Sequence, residues 1–250
     1  MKAHEIVSEV LKRMAATARP GVTGLMLEDV AIKVINECGG HSYNKGYFPS
    51  WATKPYPAAT CININHFIAH GVPSNYKFRD GDIVNIDLSV VDPDGICGDA
   101  ALTVPIGDLN KRTERLLRVA ANTTYEVIRH IKNGVLTDDL ARITQRFVWN
   151  HNLLVNRRFT GHGIGVKMHE FPKIYSTIED GQVYETLKTG DILCIEPILT
   201  TGTDDIGVTL DDGWTVITRD RMPSAMFEHM VRVTDDGCEV LTTHFSLDAI

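Results

Sequence analysis

Two ten-residue stretches of the chain nearly repeat each other, GDIVNIDLSV from Gly81 and GDILCIEPIL from Gly190. Each opens Gly-Asp-Ile, runs apolar, and interrupts that run at its seventh place with a carboxylate, Asp87 in the first copy and Glu196 in the second. An ionised acid inside an apolar strand is costly to desolvate unless it is paired or bound to metal. Two acids at matched places suggest a duplicated scaffold whose halves each present a ligand to a shared centre. The repeat alone is equally compatible with ordinary turn chemistry, in which Gly-Asp precedes a strand and each acid caps or pairs locally.

More acids follow the same pattern. After Asp87 the chain turns at Asp92-Pro-Asp-Gly95 and returns through Cys97-Gly98-Asp99, a hairpin that can bring Asp99 beside Asp87. In the second half Glu228 again sits in an apolar run, Ala225-Met-Phe-Glu-His-Met-Val231. Four crowded carboxylates cannot all stay ionised without compensation. Two divalent cations supply +4 against −4, and one neutral histidine completes an oxygen-rich site. His162, in Thr160-Gly-His-Gly-Ile-Gly165, is the natural candidate because its small neighbours let an ion approach. Asp87, Asp99, His162, Glu196 and Glu228 are therefore the expected metal ligands. Oxygen ligation with one imidazole suits Mn, Fe, Co or Zn as divalent ions and disfavours a thiolate zinc site. Two such ions about 3.5–4 Å apart make hydroxide available at neutral pH. Taken singly, any one of these acids is satisfied by a local role.

These residues must be held by a scaffold. Ile6, Val7, Val10, Leu11 and Met14 recur at helical spacing until Pro20-Gly21, and Thr23 can cap a second helix running through Cys38. Residues 41–58 hold glycine, prolines and aromatics without a period, which reads as a long ordered loop forming a pocket wall or lid. Strands are expected at 59–65, 82–91 and 99–106, helices at 111–132 and 137–151 with Thr137 as cap, and strands again near 192–200, 213–218, 226–233 and 238–243. Turn signals favour antiparallel pairing with helices on one face, an α+β fold. No Gly-x-Gly-x-x-Gly opens a helix after a strand, so nucleotide binding is not expected.

Composition bounds the partners. The 250 residues are 43% hydrophobic and 23% charged, as in a soluble globular protein, and the net charge of −7 argues against nucleic acid as a direct partner. Five scattered cysteines without a Cys-x-x-Cys pair read as reduced, mostly structural thiols, and the acid-bearing amphipathic start reads as neither signal peptide nor membrane span. A cytoplasmic protein is expected, with no membrane partner.

The segments NIDLSV, CGDA, GHGIG with His169-Glu170 soon after His162, IEP, and SAMFEHMV together resemble the type I methionine aminopeptidases in order and nearly in spacing. The match runs from about residue 60 to 240, and the two N-terminal helices also fit. The resemblance implies a pseudo-two-fold pita-bread fold, a curved antiparallel sheet with helices packed on its outer face. It implies one catalytic domain built of two halves, about 1–134 and 135–250, a dinuclear metal centre, and removal of the initiator methionine from nascent polypeptides with a small second residue. Asp87 would then chelate one ion, Asp99 and Glu228 bridge both, and His162 and Glu196 complete the other. Glu196 also matches a proton relay to the leaving amine, His70 a contact to the substrate amine or scissile amide, and His169 a group that polarises the scissile carbonyl. Tyr43, Tyr47, Met168 and Trp214 match a methionine pocket. A monomer is expected, and contact with the ribosome is left open. Two other readings stand beside this one: a related pita-bread peptidase cutting before proline (X-Pro aminopeptidase or dipeptidase), and a non-catalytic relative that binds peptide or ribosome.

The chain departs from that family near the substrate. Ala69 replaces a usual cysteine, Ala100 a usual Thr or Ser, and Met168 a usual phenylalanine; loop 48–58 is longer, and Asp87 and Asp99 lie one residue further apart. These departures bear on substrate range and rate, and admit a divergent second copy of the enzyme.

Overall fold

The computed structural model describes residues 1–203 and 207–245. Its first element, helix α1 (Ala3–Thr17), stops short of Pro20 and buries Ile6, Val7, Val10, Leu11 and Met14 completely, each worth about 2 kcal/mol of apolar transfer. Helix α2 (Gly24–Glu37) is capped by Thr23, whose hydroxyl accepts the Met26 N–H at 3.2 Å. Both pack on a four-stranded antiparallel sheet. Its spine is the strand Ile83–Val91, paired along one edge with His41–Ser42 and Cys61–Ile64 and along the other with Cys97–Pro105.

Period-two alternation decides which way each residue of that hairpin faces. Val84, Ile86, Leu88 and Val90, with Ala100, Leu102 and Val104 opposite, join α1 and α2 in the main core. Asn85, Asp87 and Ser89, with Asp99, Ala101 and Thr103, therefore turn to the other face, toward the second half. The register sets Ser89 against Asp99 and Asp87 against Ala101, so the two aspartates lie diagonally on one face. Ala100 falls on the core face with no exposure, so that departure does not reach the substrate side.

Helices α3 (Lys111–Ile128) and α4 (Thr137–Asn150) form the second outer layer. Asn110 caps α3 by accepting the Arg112 and Thr113 N–H groups. Thr137 is not the cap of α4 as expected. The cap position is Leu136, with no side-chain bond, and Thr137 opens the helix while its hydroxyl accepts the Glu185 N–H at 3.0 Å. Although α3 precedes residue 134, it packs on strands of the second half. That half contains a five-stranded antiparallel sheet in the order Cys238–Val240, His229–Val233, Ile192–Ile195, Gly161–Gly163, Glu170–Ile174. Val127, Ile128 and Leu140 pack with Leu193, Ile195 and Val231 on its outer face.

Two three-stranded sheets complete the layer, and the sheets stay open rather than closing into a barrel. The result is the α+β pita-bread fold, with curved antiparallel sheets and helices outside. The halves are stitched by Glu228 N–H to the Ala101 carbonyl at 2.9 Å and by Thr103 Oγ1 and Asn85 Nδ2, both donating to the Met226 carbonyl. Several strands are shorter than the sequence suggests. The 192–200 run breaks at Glu196-Pro197, the 226–233 run breaks at Phe227-Glu228, and only Val216–Ile217 and Cys238–Val240 of the other two are regular. The short strands at Phe67–Ala69, Leu154–Val155, Gly161–Gly163 and Glu170–Ile174 carry no clear sequence pattern and were not expected. Among the described residues no helix is long and apolar enough to cross a membrane.

Candidate metal centre and substrate cavity

The inner faces of the first-half hairpin and of the five-stranded sheet converge on one cavity of about 140 Å³. Asp87, Asp99, His162, Glu196 and Glu228 all line it, as do His70, His169, Tyr43, Tyr47, Met168 and Trp214. Residues more than a hundred positions apart, from both halves, thus share one small space.

Strand register places the second-half groups as it does the first. His162 lies opposite Cys194, and Cys194 opposite Met230, in one row across three strands. His229 pairs with Ile195, so Glu228 and Glu196 come one residue further along, at the breaks in their strands. His162 is flanked by Gly161 and Gly163, and a Cβ at either would collide with the Cys194 or Phe171 carbonyl. That close approach is why small residues surround the histidine. Its Nδ1 hydrogen donates to the Gly163 carbonyl at 2.9 Å. Nε2 is left as a lone pair facing Glu196 Oε1 at 3.5 Å and Asp99 Oδ2 at 3.8 Å.

Among the described residues no lysine or arginine lines the cavity to pair with these acids. Ser89 Oγ donates to Asp99 Oδ1 at 3.0 Å, but Glu228 Oε1 is fully buried with no hydrogen-bond partner, an expensive state for a native carboxylate. Burial raises the Asp87 carboxyl to about 7. Burial and then the charges of Asp99 and Asp87 push Glu196 well up, and burial with Asp99, Glu196 and Asp87 does the same to Glu228. Burial and Asp87 raise Asp99 likewise. Burial and the neighbouring His169 lower His162 to about 4, so the imidazole is neutral. Protein atoms alone therefore do not support four ionised carboxylates beside a neutral imidazole, and a cation would relieve that crowding. Two ligand triads fit one: Asp87, Asp99 and Glu228, and Asp99, His162 and Cys194, each with its donor atoms within 4.8 Å of one another. Asp99 belongs to both.

One wall is aromatic. Tyr43 and Tyr47 lie 5.4 Å apart, Tyr47 stands 6.4 Å from both His169 and Trp214, and His169 meets His162 edge-on at 4.6 Å. Trp214 is buried, its indole N–H donating to the Lys54 carbonyl at 3.1 Å and its ring meeting Tyr56 edge-on at 5.1 Å. His70 occupies a left-handed backbone conformation, φ 56°. The next residue must be glycine, since a Cβ on Gly71 would strike the Ile62 carbonyl. Burial, with the charge of Arg158, lowers His70 to about 4.

Sequence reasoning missed several lining residues: Asn44, Tyr56, Cys61, Phe159 and Thr160. Cys61 pairs in register with Asp87, and Phe159-Thr160 lie just before His162 in the chain, so adjacency to the expected ligands was the available signal. Cys194, read only as a structural thiol, sits two residues before Glu196 on the same strand face. His229 turns away from the cavity to Tyr125 and Thr242, at 2.9 and 2.7 Å.

Comparison with known proteins agrees with this geometry. The model of metallopeptidase family M24 matches residues 1–235. The methionine aminopeptidase of Escherichia coli is 37% identical over 244 residues, covering 96% of this chain and 88% of the relative, and that of Aquifex aeolicus is 35% identical, covering 96% and 93%. The crystal structure of the Rickettsia prowazekii methionine aminopeptidase superposes with a TM-score of 0.89 at 34% identity, covering 96% of this chain and 94% of that one. An Xaa-Pro dipeptidase from Bacillus anthracis shares the fold at a TM-score of 0.70 and 19% identity, with 58% of its length covered.

Proposed function

We propose, from the premise that this chain belongs to metallopeptidase family M24 and is related there to the type I methionine aminopeptidases, that it hydrolyses the first peptide bond of polypeptides beginning with methionine and a small residue. The observation that carries the reading is the orphaned Glu228 Oε1 in a cavity where four acids and a neutral imidazole from both halves meet.

That donor set fits divalent metal. Asp87 would hold one ion, His162 and Glu196 the other, and Asp99 and Glu228 both, with Mn, Fe, Co or Zn as candidates. When bound, the ions supply an acidified water and Lewis-acid polarisation of a carbonyl oxygen. The rest falls to this chain's own side chains. Glu196 would take a proton on its carboxylate and pass it to the departing amine. His169, held neutral by burial, can donate an N–H to the scissile carbonyl oxygen as charge develops there. His70, also neutral, can contact the substrate amine or the scissile amide. Tyr43, Tyr47, Met168 and Trp214 offer the polarizable apolar surface that a thioether chain prefers.

The chain acts in this reading as one catalytic domain of two halves, a monomer in the cytoplasm, where five free cysteines stay reduced. Its substrates are nascent chains, met at the ribosome or after release. Methionine at the first position is favoured over proline at the second because likeness to the Xaa-Pro dipeptidase extends to the fold alone. Retention of all five ligand residues disfavours a purely binding role. The test is a peptide panel on metal-free protein reloaded separately with Mn, Fe, Co or Zn. Release of methionine from Met-Ala-Ser supports the reading. Faster cleavage of Xaa-Pro peptides, or full activity without metal, overturns it.

A further inference from the structure

Glu228 lies between two strands, Ser224–Met226 and His229–Val233, and belongs to neither. The ladder of its own half therefore stops short of it. Its backbone N–H is held instead from the first half, by the Ala101 carbonyl at 2.9 Å. Ala101 stands on the strand Cys97–Pro105, two residues beyond Asp99 and on the same face. Within its sheet that strand pairs only with Ile83–Val91, so its other edge is left to meet the second half. One peptide carbonyl thus joins the segments that carry Asp99 and Glu228, the two acids expected to touch both ions.

A second donor reaches the same oxygen. His244 Nε2 lies 3.2 Å from the Ala101 carbonyl. A carbonyl only accepts, so the ring carries its hydrogen on Nε2 and donates it there. The oxygen has two lone pairs, and the Glu228 N–H and the His244 Nε2–H occupy both. The Glu228 carbonyl also faces this imidazole. His244 is buried, and its Nδ1 has no partner among the described residues. A buried orphan nitrogen is costly, so filling space is a poor reason for an imidazole here. The donor at Nε2 is a good one.

The ring is delivered by a short strap, residues 241–245, which ties together elements of both halves. Leu241 N–H donates to the Met230 carbonyl at 2.8 Å, and Thr242 Oγ1 accepts the Met230 N–H at 3.2 Å. Thr243 N–H donates to Ser8 Oγ on α1 at 2.9 Å. Tyr125 on α3 donates its hydroxyl to the Phe245 carbonyl at 3.3 Å, and the Phe245 ring stacks on His229 at 4.2 Å. Both neighbours of His244 are therefore anchored, which holds its ring against Ala101.

Resting on the dinuclear metal reading, we infer that His244 is a positioning residue for the metal centre, fixing Glu228 relative to Asp99 by holding the carbonyl that joins their segments.

Calorimetric titration of metal-free protein with Mn, beside kcat and KM on Met-Ala-Ser, tests this in the parent, His244→Leu, His244→Gln and Phe245→Leu. His244→Leu keeps bulk and removes the donor. It should weaken Mn binding and lower kcat by about tenfold each, the low end for groups that orient a ligand, with KM little changed. His244→Gln returns an N–H near Nε2 and should recover most of both. Phe245→Leu loosens the same strap without touching the carbonyl, so it should lower the denaturant midpoint and leave Mn affinity near that of the parent. Parent affinity in His244→Leu, equal losses in the Leu and Gln variants, or an equal loss in Phe245→Leu overturns the positioning role and leaves the metal centre intact. Should His244→Leu fail to fold, the parent decides through long-range nitrogen–proton NMR of its imidazoles. His244 should carry its hydrogen on Nε2, and its signals should move when diamagnetic Zn is added. Hydrogen on Nδ1, or signals that Zn leaves in place, overturns the role. No Mn bound by the parent overturns the metal reading and this inference with it.

Discussion

The floor and the wall of the cavity are built on different principles. Every acid of the floor is set by strand register, Asp87 and Asp99 by a continuous nine-residue pairing and Glu196 and Glu228 by adjacent strand breaks. The wall comes largely from loop 41–58, with Trp214 packed against it, and the loop is held by a few contacts. Tyr43 N–H donates to the Ser89 carbonyl, Gly46 N–H to the Tyr56 carbonyl, and Tyr56 OH to Thr60 and Gly71. A register cannot be shifted by a fraction of a residue, whereas ring packing can adjust by tenths of an ångström. Floor variants should therefore act as switches and wall variants as dials.

The largest effects test the floor. Glu228→Ala or His162→Ala should lower kcat/KM by on the order of 10³-fold or more and reduce metal per chain, read by elemental analysis. A variant that keeps both metal and rate breaks the comparison. His169→Ala should cost about 10²–10³-fold in kcat, as loss of an oxyanion donor does, with metal content unchanged. On the wall, Trp214→Ala removes a buried ring and should destabilise by about 3–5 kcal/mol and raise KM, read by denaturant midpoint and kinetics. Trp51→Ala, at an exposed ring, should leave the denaturant midpoint close to that of the parent and change KM about two- to fivefold.

The pH dependence of metal-free protein sharpens the same contrast. The floor acids have folded pKa values above their unfolded ones, so their contribution is fully present below the unfolded carboxyl range and is lost as pH rises, through about 7 for Asp87. The neutral histidines His70 and His162, lowered to about 4, act oppositely, adding stability as pH climbs from 4 to 6.5 and nothing beyond. Between pH 6.5 and 8 only the acids change, so Tm of the metal-free protein should fall across that window. Added metal should restore more at pH 8 than at pH 6.5, releasing protons as it binds.

The sequence made the floor legible because acids within apolar strands are chemically conspicuous, and the near-repeat around Asp87 and Glu196 ties the halves together. The wall was less so. Tyr43 and Tyr47 could be placed only through family likeness, since a loop without a period gives no facing rule, and Trp51 and Tyr56 drew no notice. Short strands such as Gly161–Gly163 are set by tertiary pairing around His162 rather than by local propensity. Thr137 looked like a cap, yet its hydroxyl serves the Glu185 backbone from a segment nearly fifty residues away, a contact no local pattern encodes. Ala100 looked like a change at the substrate, and alternation along its strand turns it into the core instead.

The claim on which all of this depends is that acids from both halves hold the same pair of ions. Calorimetric titration of metal-free protein with Mn, for the parent, Asp87→Ala and Glu196→Ala, tests it most directly. The account predicts two ions per chain in the parent and loss of tight binding at one site or both when an acid from either half is removed. Unchanged stoichiometry and affinity in both variants would contradict it.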